Sequence, residues 1–135
     1  MIILDSSAAV EMVRETELGN GFLALMLDNE EVRSVTLFEA EVRNSFWKYV
    51  RHGLLSESVA SGYVARACNV VDAFCPIADY ADEAFLEAVN YGHPVYDMLY
   101  LCAARRNNAT LFTADRKLMR LCEEAGVACI CEVEL

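Results

Sequence analysis

The sequence predicts an α/β fold in which a central parallel sheet of four to five strands is flanked by helices on both faces. Two observations lead to this prediction. Short apolar runs alternate with longer helical segments almost throughout, which is the order expected when helices connect parallel strands. The 135 residues contain no repeat, low-complexity tract or long linker. All residues from 1 to 135 are therefore expected to form one domain with a core of its own.

The strands are recognised as short apolar runs bounded by charged or turn-forming residues. The opening MIIL ends at Asp5, and the later runs EVRSVT, ATLFT and VACI have similar lengths. A brief further strand is expected to cross Pro76. Together the predicted strands cover residues 1–4, 31–36, 74–77, 109–113 and 127–130.

The helices are predicted from capping residues and glycines between these strands. Gly53 closes the long helix that follows the second strand, Ser56 caps the next helix, and Gly126 ends the last one. The predicted helices cover residues 7–14, 19–27, 37–53, 56–74, 79–91, 94–104 and 115–125. Parallel sheets of this kind bind ligands at the carboxyl ends of their strands, so function is expected at that edge.

Composition excludes some classes of function. The net charge of −10 and the isoelectric point near 4.5 oppose nonspecific binding to nucleic acid and favour cations or a basic protein partner. Hydrophobic residues make up 56% of the chain, but no run approaches the roughly 18 apolar residues of a membrane span. The N-terminus MIILDSSAAV lacks the basic start of a signal peptide. A cytoplasmic protein without membrane contact is expected, with apolar surface available for a partner.

The six cysteines form no C-x-x-C motif, and most lie in apolar segments. Cysteine in such segments behaves as a small hydrophobic residue. We therefore expect reduced thiols and no zinc site.

Four carboxylates fall near the carboxyl edge of the predicted sheet: Asp5, Glu41, Asp97 and Asp115. Asp5 ends the first strand, and Asp115 follows the strand that ends at Thr113. Each of the three aspartates also lies where a helix begins, so helix capping is an alternative explanation for each one separately.

The long helix offers two glutamates, which differ in their surroundings. Thr36 and Glu39 have the spacing of a capping box, and Arg43 lies four residues beyond Glu39 as an expected ion pair. Glu41 has no such explanation, and it shares a helix face with Asn44 and with Ser45. The alternative is that Glu41, Asn44 and Ser45 form an ordinary solvent-exposed face of the helix.

Clustered carboxylates repel one another unless a cation lies between them. Carboxylate oxygens are hard ligands, which favour Mg²⁺ or Mn²⁺, and these ions bind phosphate oxygens and activate water.

Four segments together resemble the PIN domain family and, within it, the VapC toxins of prokaryotic toxin–antitoxin pairs. ILDSSAAV (3–10) is similar to the family's opening strand and first acid, and LFEAEVRNSFWK (37–48) to its E-x-x-N helix. VYDMLYLCAA (95–104) resembles the Y-D-A-x-Y-x-x-A-A segment, with Met98 where a small residue is commoner, and LFTADRKL (111–118) resembles the T-x-D segment. The resemblance spans essentially the whole chain.

The resemblance implies a PIN-like fold and a ribonuclease that uses one or two Mg²⁺ or Mn²⁺ ions. The catalytic and metal-binding residues it implies are Asp5, Glu41, Asp97 and Asp115. Asn44 is implied as a supporting amide, and Ser6 and Thr113 either fix a carboxylate or bind through water, with helix capping as the alternative for Ser6. A homodimer is also implied, as is a cognate antitoxin that covers the groove in which RNA is cleaved.

Most of the basic residues lie on the segments that also carry Glu41, Asp97 and Asp115. They are Arg43, Lys48, Arg51, Arg105, Arg106, Arg116, Lys117 and Arg120. A groove that contacts RNA phosphates requires such cations, although ordinary solvated helix faces would carry them too. The two histidines, His52 and His93, are expected on the surface without a catalytic role.

The apolar stretch from Phe22 to Leu27, with Val59 and Tyr63, exceeds what one amphipathic stripe needs. Most of it is expected in the core, and the remainder on a surface for dimerisation or an antitoxin helix.

Two other functions fit parts of the pattern. A receiver-like phosphoacceptor domain also gathers acids around Mg²⁺, but it requires an adjacent acidic pair after the first strand, where this chain has Asp5 followed by two serines. A PIN-like domain that binds partners without cleaving RNA is the second alternative.

Overall fold

The computed structural model describes residues 1–132. Within them, five short strands form one sheet: β1 (Ile2–Leu4), β2 (Val32–Val35), β3 (Ala73–Cys75), β4 (Thr110–Phe112) and β5 (Cys129–Ile130). The helices are α1 (Ser6–Val13), α2 (Glu17–Leu25), α3 (Leu37–Arg51), α4 (Glu57–Val70), α5 (Ala81–Tyr91), α6 (Val95–Arg106) and α7 (Arg116–Ala125).

The sheet is parallel throughout, with the strand order β3-β2-β1-β4-β5. In the central strand, Ile3 is aligned with Arg33 of β2 on one side and with Leu111 of β4 on the other. Helix α1 packs against α2, α3 and α4, whereas α6 packs against α5, α7 and the three central strands. Right-handed crossovers place these two helix groups on opposite faces of the sheet. The predicted α/β architecture is confirmed.

The core contains the central strands and the apolar faces of the helices. Its largest fully buried side chains include Tyr100, Phe22, Phe38 and Phe46. The ring of Phe22 stacks on that of Phe112, with centroids 5.6 Å apart, and so ties α2 to β4. Burying a side chain of this size contributes roughly 1.5–3 kcal/mol, which explains how strands of two to four residues are held in place.

The boundaries differ from the prediction around the third strand. Strand β3 ends at Cys75, directly before Pro76, and a 3₁₀ turn follows at Ile77–Asp79 before α5 begins at Ala81. Proline cannot donate to the strand ladder, so Pro76 ends the strand instead of lying within it.

The capping box predicted at the start of α3 is wrong. Thr36 has helical backbone angles and its side chain makes no cap hydrogen bond. Its Oγ1 instead accepts the backbone N–H of Ile77 at 3.2 Å, which joins the ends of β2 and β3. Arg43 donates to the backbone carbonyl of Glu39 at 2.8 Å, and this contact replaces the expected ion pair.

All six cysteines are free thiols, and Cys75, Cys102, Cys122 and Cys131 are buried. The prediction that most of the cysteines lie in the core is confirmed. In the part of the chain that the structure describes, no helix combines the length and apolarity that crossing a bilayer would require.

The apolar stretch from Phe22 to Leu27 divides as expected between core and surface. Phe22 is buried, whereas Leu23, Leu25 and Leu27 are exposed, as is Val59 of α4. A second exposed apolar group, which the sequence reading did not single out, lies on α5 and consists of Phe85, Leu86 and Val89.

Candidate active site

The strand order places a crevice at the carboxyl edge of the sheet. From β1 the chain proceeds to β2 and β3 on one side, whereas β4 and β5 lie on the other. Parallel sheets bind ligands at such a reversal, because the connecting helices leave a gap there. Asp5 follows β1 and Thr113 follows β4, so both side chains meet at this point.

Asp5 is buried, and its carboxylate is held by hydroxyl groups. Ser7 Oγ and Thr113 Oγ1 each donate to Asp5 Oδ2 at 2.6 Å, and Ser6 Oγ lies 3.4 Å from Oδ1. The Asp5 side chain makes no cap hydrogen bond to α1, which excludes the capping alternative. Burial raises the pKa of Asp5; the bonds from Ser7 and Thr113 oppose this, and the nearby Asp97 and Asp115 add to it.

Glu41 projects from the first half of α3 towards the same crevice. Its Oε1 accepts the Tyr100 hydroxyl at 2.6 Å and lies 3.5 Å from Ser6 Oγ. Desolvation raises the pKa of Glu41, and the charges of Asp5 and Asp97 raise it further, against the lowering effect of the Tyr100 hydrogen bond. Burial holds the pKa of Tyr100 far above its ordinary value, so its hydroxyl stays a neutral donor.

Asp97 lies in the first turn of α6, but it does not cap that helix. Its Oδ2 is 2.7 Å from His93 Nε2, four residues earlier. The side chain of His93 is 19% exposed, so the prediction of an isolated surface histidine is wrong at this position. His52 is exposed, as predicted.

Asp115 does cap its helix. Its Oδ1 accepts the backbone N–H of Lys117 at 2.8 Å. The backbone N–H of Asp115 donates to Thr113 Oγ1 at 3.0 Å, and that of Ala114 donates to Ser7 Oγ at 2.9 Å. Ser7 and Thr113 thus join the segment after β1 to the segment after β4 and fix both aspartates relative to each other.

The four acids interact electrostatically. The charges of Asp97 and Asp115 help to raise the pKa of Asp5, and those of Asp5 and Asp97 help to raise the pKa of Glu41. Across residues 1–132, however, no three acidic, imidazole or thiol groups converge closely enough to hold a metal ion as they stand. Each acid is engaged by its own hydrogen-bond donor. Among these described residues, Glu41 Oε2, Asp97 Oδ1 and Asp115 Oδ2 accept no hydrogen bond.

This donor set fits a hard divalent cation. Carboxylate oxygens are what Mg²⁺ and Mn²⁺ prefer, and these ions keep several waters when few protein ligands reach them. A cation would also offset the mutual repulsion that raises the pKa values of Asp5 and Glu41.

Three residues of the crevice were not predicted from the sequence to take part in the site: Ser7, Tyr100 and His93. Tyr100 lies in an apolar helical run and is fully buried, so the pattern favours a core role; its hydroxyl nevertheless reaches Glu41. Buried tyrosines usually find a partner for the hydroxyl, which is the signal that could have identified it. His93 lies one turn before Asp97, a spacing that could have revealed the pair.

The predicted supporting residues differ in whether they contact the acids. Ser6 and Thr113 contact the acids directly. Asn44 lines a cavity of about 290 Å³ with Glu41, Ser45 and Lys48, but its side chain is exposed.

The predicted basic residues also differ in whether they lie at the crevice. Lys48 lines the crevice next to Ser7 and Asp115. Arg105 does not: it binds Glu83 at 2.6 Å and Glu87 at 2.9 Å. Because it follows Asp97 by eight helical residues, about 12 Å along the axis, Arg105 lies towards the other edge of the sheet.

Arg43 lies on another face of α3, in a groove shared with Trp47 and with Glu57 of α4. Arg116 forms an ion pair with Glu132 at 2.5 Å. Arg51 and Lys117 are exposed near the ends of their helices. Arg43 and Arg105 are therefore removed from the set that faces the acids.

Comparison with known proteins decides the family. The sequence model of the PIN domain matches residues 2–124 of this chain. The chain belongs to the PIN domain family. A receiver-like domain is thereby excluded. A PIN domain relative, the protein named Ribonuclease VapC3 of Pyrobaculum aerophilum, is 29% identical over 120 residues, which cover 87% of this chain and 91% of the relative.

Solved structures share the PIN fold. PAE2754 from Pyrobaculum aerophilum superposes with a TM-score of 0.71 at 23% identity, over 89% of this chain and 83% of that one. The structure of VapBC-1 from nontypeable Haemophilus influenzae matches with a TM-score of 0.66 at 17% identity, over 96% and 97%. FitAcB from Neisseria gonorrhoeae matches with a TM-score of 0.58 at 22% identity, over 96% of each chain.

Proposed function

We propose that this PIN domain is a divalent-metal-dependent endoribonuclease and the toxin of a type II toxin–antitoxin pair. The observation that carries the proposal is the acidic crevice of this PIN fold, in which Ser6 Oγ lies 3.4 Å from Asp5 and 3.5 Å from Glu41 and the charges of Asp97 and Asp115 act on Asp5. The name of the relative Ribonuclease VapC3 and the VapBC structure support the same activity and the same kind of partner.

The residues proposed to hold one or two Mg²⁺ or Mn²⁺ ions are these four acids. Such an ion, when bound, polarises a phosphodiester and lowers the pKa of a bound water. Ser7 and Thr113 hold Asp5 in one orientation, and Tyr100 does the same for Glu41. His93 orients Asp97 through one oxygen and leaves the other available. Carboxylates fixed in this way need little rearrangement when a cation arrives.

The proposed partners are RNA, a cognate antitoxin and a second copy of this chain. The exposed apolar side chains on α2 and α5 provide surface for the two protein partners. The proposed setting is the cytoplasm, where the six free thiols would remain reduced.

The test is a cleavage assay on structured RNAs with Mg²⁺ or Mn²⁺ and with EDTA. We expect cleavage by the wild type with metal and its loss in EDTA, in Asp5→Asn and in Asp97→Asn, because each change removes a carboxylate from the crevice. Asp82→Asn is the matched control, since Asp82 is an exposed aspartate on α5.

Equal cleavage in EDTA, or by Asp97→Asn, would contradict the metal mechanism. If folded wild-type protein cleaves no RNA under any of these conditions, the function as a non-catalytic partner-binding module replaces the nuclease.

A further inference from the structure

Two cysteines of the last helix and the last strand have no part in the proposed metal site. Cys122 lies on α7 and is fully buried, whereas Cys129 lies on β5 and is half-buried. Between them, Gly126 ends α7 in the left-handed conformation. The backbone N–H of Val127 then donates to the carbonyl of Cys122 at 2.8 Å. The chain therefore folds back against Cys122 before β5 begins.

The thiol groups of Cys122 and Cys129 are in contact. The Cys122 S–H donates a hydrogen bond to the Cys129 sulfur, and this bond raises the pKa of Cys122 and lowers that of Cys129. Burial and the charges of Asp5 and Glu123 oppose the lowering at Cys129. The thiolate is the reactive form of cysteine. Because Cys129 is also the more exposed of the two, a small oxidant reaches it first.

A third cysteine close by is not well placed to compete. Cys131 follows β5 and is only 3% exposed. In an extended chain, residues two apart have Cα atoms roughly 6.6 Å from each other and parallel Cβ bonds, which is poor geometry for a disulfide. Cys122, which approaches Cys129 from the helix, is therefore the favoured partner.

A bond between Cys122 and Cys129 would join two elements that support the active site. Helix α7 begins after Asp115, which caps it, and the Ile130 carbonyl of β5 accepts the backbone N–H of Thr113 at 3.1 Å. Strand β5 has two residues, and among the described strands it pairs with β4 alone. So short an edge strand is held weakly by its ladder, and a covalent bond to α7 would hold it in place.

We infer that Cys129 and Cys122 form a dithiol site for oxidation by hydrogen peroxide, and that the resulting disulfide fastens β5 to α7. The Cys129 thiolate attacks one peroxide oxygen: an S–O bond forms, the O–O bond breaks, and the leaving hydroxide takes up a proton to become water. The Cys122 sulfur then attacks the Cys129 sulfenic acid. The S–S bond forms, the S–O bond breaks, and a second water leaves with the Cys122 proton.

In this reaction two thiols are oxidised to one disulfide, and one peroxide is reduced to two waters. Exchange with a small thiol such as glutathione restores the pair. Such a reversible disulfide is the kind that occurs in a reducing compartment.

The test is a peptide map of the full-length protein after treatment with hydrogen peroxide and blocking of the remaining thiols. Glu-C protease cleaves after Glu123 and Glu124, between the two cysteines, so the disulfide appears as two peptides that stay joined until dithiothreitol is added. We expect the joined peptides from the folded wild type and from Cys131→Ser. They should be absent from Cys122→Ser, in which Cys129 proceeds to the sulfinic acid.

Cys68→Ser is the matched control, because Cys68 is also half-buried but lies on α4. This variant should form the disulfide at the wild-type rate. In the wild type, Cys129 should lose its free thiol at least about threefold faster than Cys68, because the hydrogen bond from Cys122 favours the Cys129 thiolate.

Hydrogen exchange measures the effect of the bond on the sheet. The backbone N–H groups of Leu111 and Thr113 donate to the carbonyls of Ala128 and Ile130, at 2.9 Å and 3.1 Å. Their exchange is expected to slow several-fold in the oxidised wild type and to stay unchanged in peroxide-treated Cys122→Ser.

Three results would each overturn the inference. They are a wild-type map without the joined peptides, the same mixture of cysteine pairs from folded and urea-unfolded protein, and unchanged exchange of Leu111 and Thr113 after oxidation. Metal-dependent RNA cleavage is measured on the reduced protein, so none of these results bears on the proposed ribonuclease function.

Discussion

Asp115 combines a structural and a proposed functional role in one side chain. Its Oδ1 caps α7 through the backbone N–H of Lys117, and its charge contributes to the raised pKa of Asp5. At Asp5 the outcome is different, because that side chain makes no cap bond and accepts two short hydrogen bonds from hydroxyl groups. The capping explanation, equally reasonable for both aspartates in the sequence, holds for one of them.

The two roles of Asp115 can be separated by substitution. Asp115→Ser keeps a side-chain oxygen at the N-cap, so we expect its free energy of unfolding to stay within about 0.5 kcal/mol of the wild type. Asp115→Ala is expected to lose about 1 kcal/mol, because Lys117 N–H then has no cap. Both variants should lose RNA cleavage. Urea unfolding and the cleavage assay measure the two effects; retained cleavage by Asp115→Ser would show that the carboxylate serves only the helix.

At the scale of elements, the corner between α1 and α2 depends on Gly19. Thr16 Oγ1 accepts the Gly19 N–H at 3.1 Å, which starts α2 close against the end of α1. A Cβ on Gly19 would lie 2.0 Å from the backbone oxygen of Glu11 and 2.6 Å from the backbone nitrogen of Met12. Backbone atoms cannot move aside as a flexible side chain can, so only glycine fits here.

Gly19→Ala is therefore expected to destabilise the protein by about 2–4 kcal/mol, because α2 must move away from α1. Gly62→Ala is the matched control. Gly62 lies within α4 with nothing within 4 Å of an added Cβ, and alanine there should stabilise by about 0.5–1 kcal/mol. Urea unfolding of both variants tests this pair, and a Gly19→Ala protein as stable as Gly62→Ala would show that the corner can open without cost.

For the whole molecule, the raised pKa values of Asp5 and Glu41 link the active site to stability. Between the ordinary carboxyl pKa and the raised one, the folded protein binds more protons than the unfolded chain does. The contribution of these two groups to the free energy of unfolding is therefore greatest at low pH, and it falls as the pH rises through that window. Above that window, where both acids are ionised, the site is destabilising unless a cation is bound.

Asp5→Asn should consequently raise the melting temperature in EDTA at alkaline pH, and the gain should shrink as the pH is lowered. Mn²⁺ should raise the melting temperature of the wild type, since an ion that binds only the folded state at 100 times its Kd adds about 2.7 kcal/mol. Asp5→Asn should respond less. A variant that is less stable than the wild type at every pH, with the same response to Mn²⁺, would contradict this link between charge and stability.

Some residues of the crevice can be identified from the sequence and others cannot, for physical reasons. Asp5, Glu41, Asp97 and Asp115 were singled out because carboxylates are unusual next to buried strands and inside apolar helices. Tyr100 was missed because its ring belongs to the core by pattern, and only tertiary packing brings its hydroxyl to Glu41.

The basic residues show the opposite error. Arg43, Lys48 and Arg105 all follow the acids closely along the chain. Because each lies at a different angle around its helix or at a different distance along it, the three side chains lie on different surfaces. Of these three, Lys48 alone lines the crevice, whereas Arg43 faces the α4 side and Arg105 binds Glu83 and Glu87.

By itself, the sequence determined the parallel α/β architecture, the positions of four acids at one edge of the sheet and the burial of most cysteines. These properties follow from local periodicity, turn chemistry and composition, which a linear pattern contains. Only the tertiary structure decided which donor holds each acid and which of the cations faces the crevice. Those features depend on side chains from strands and helices distant in sequence, whose relative orientation is set by packing across the sheet.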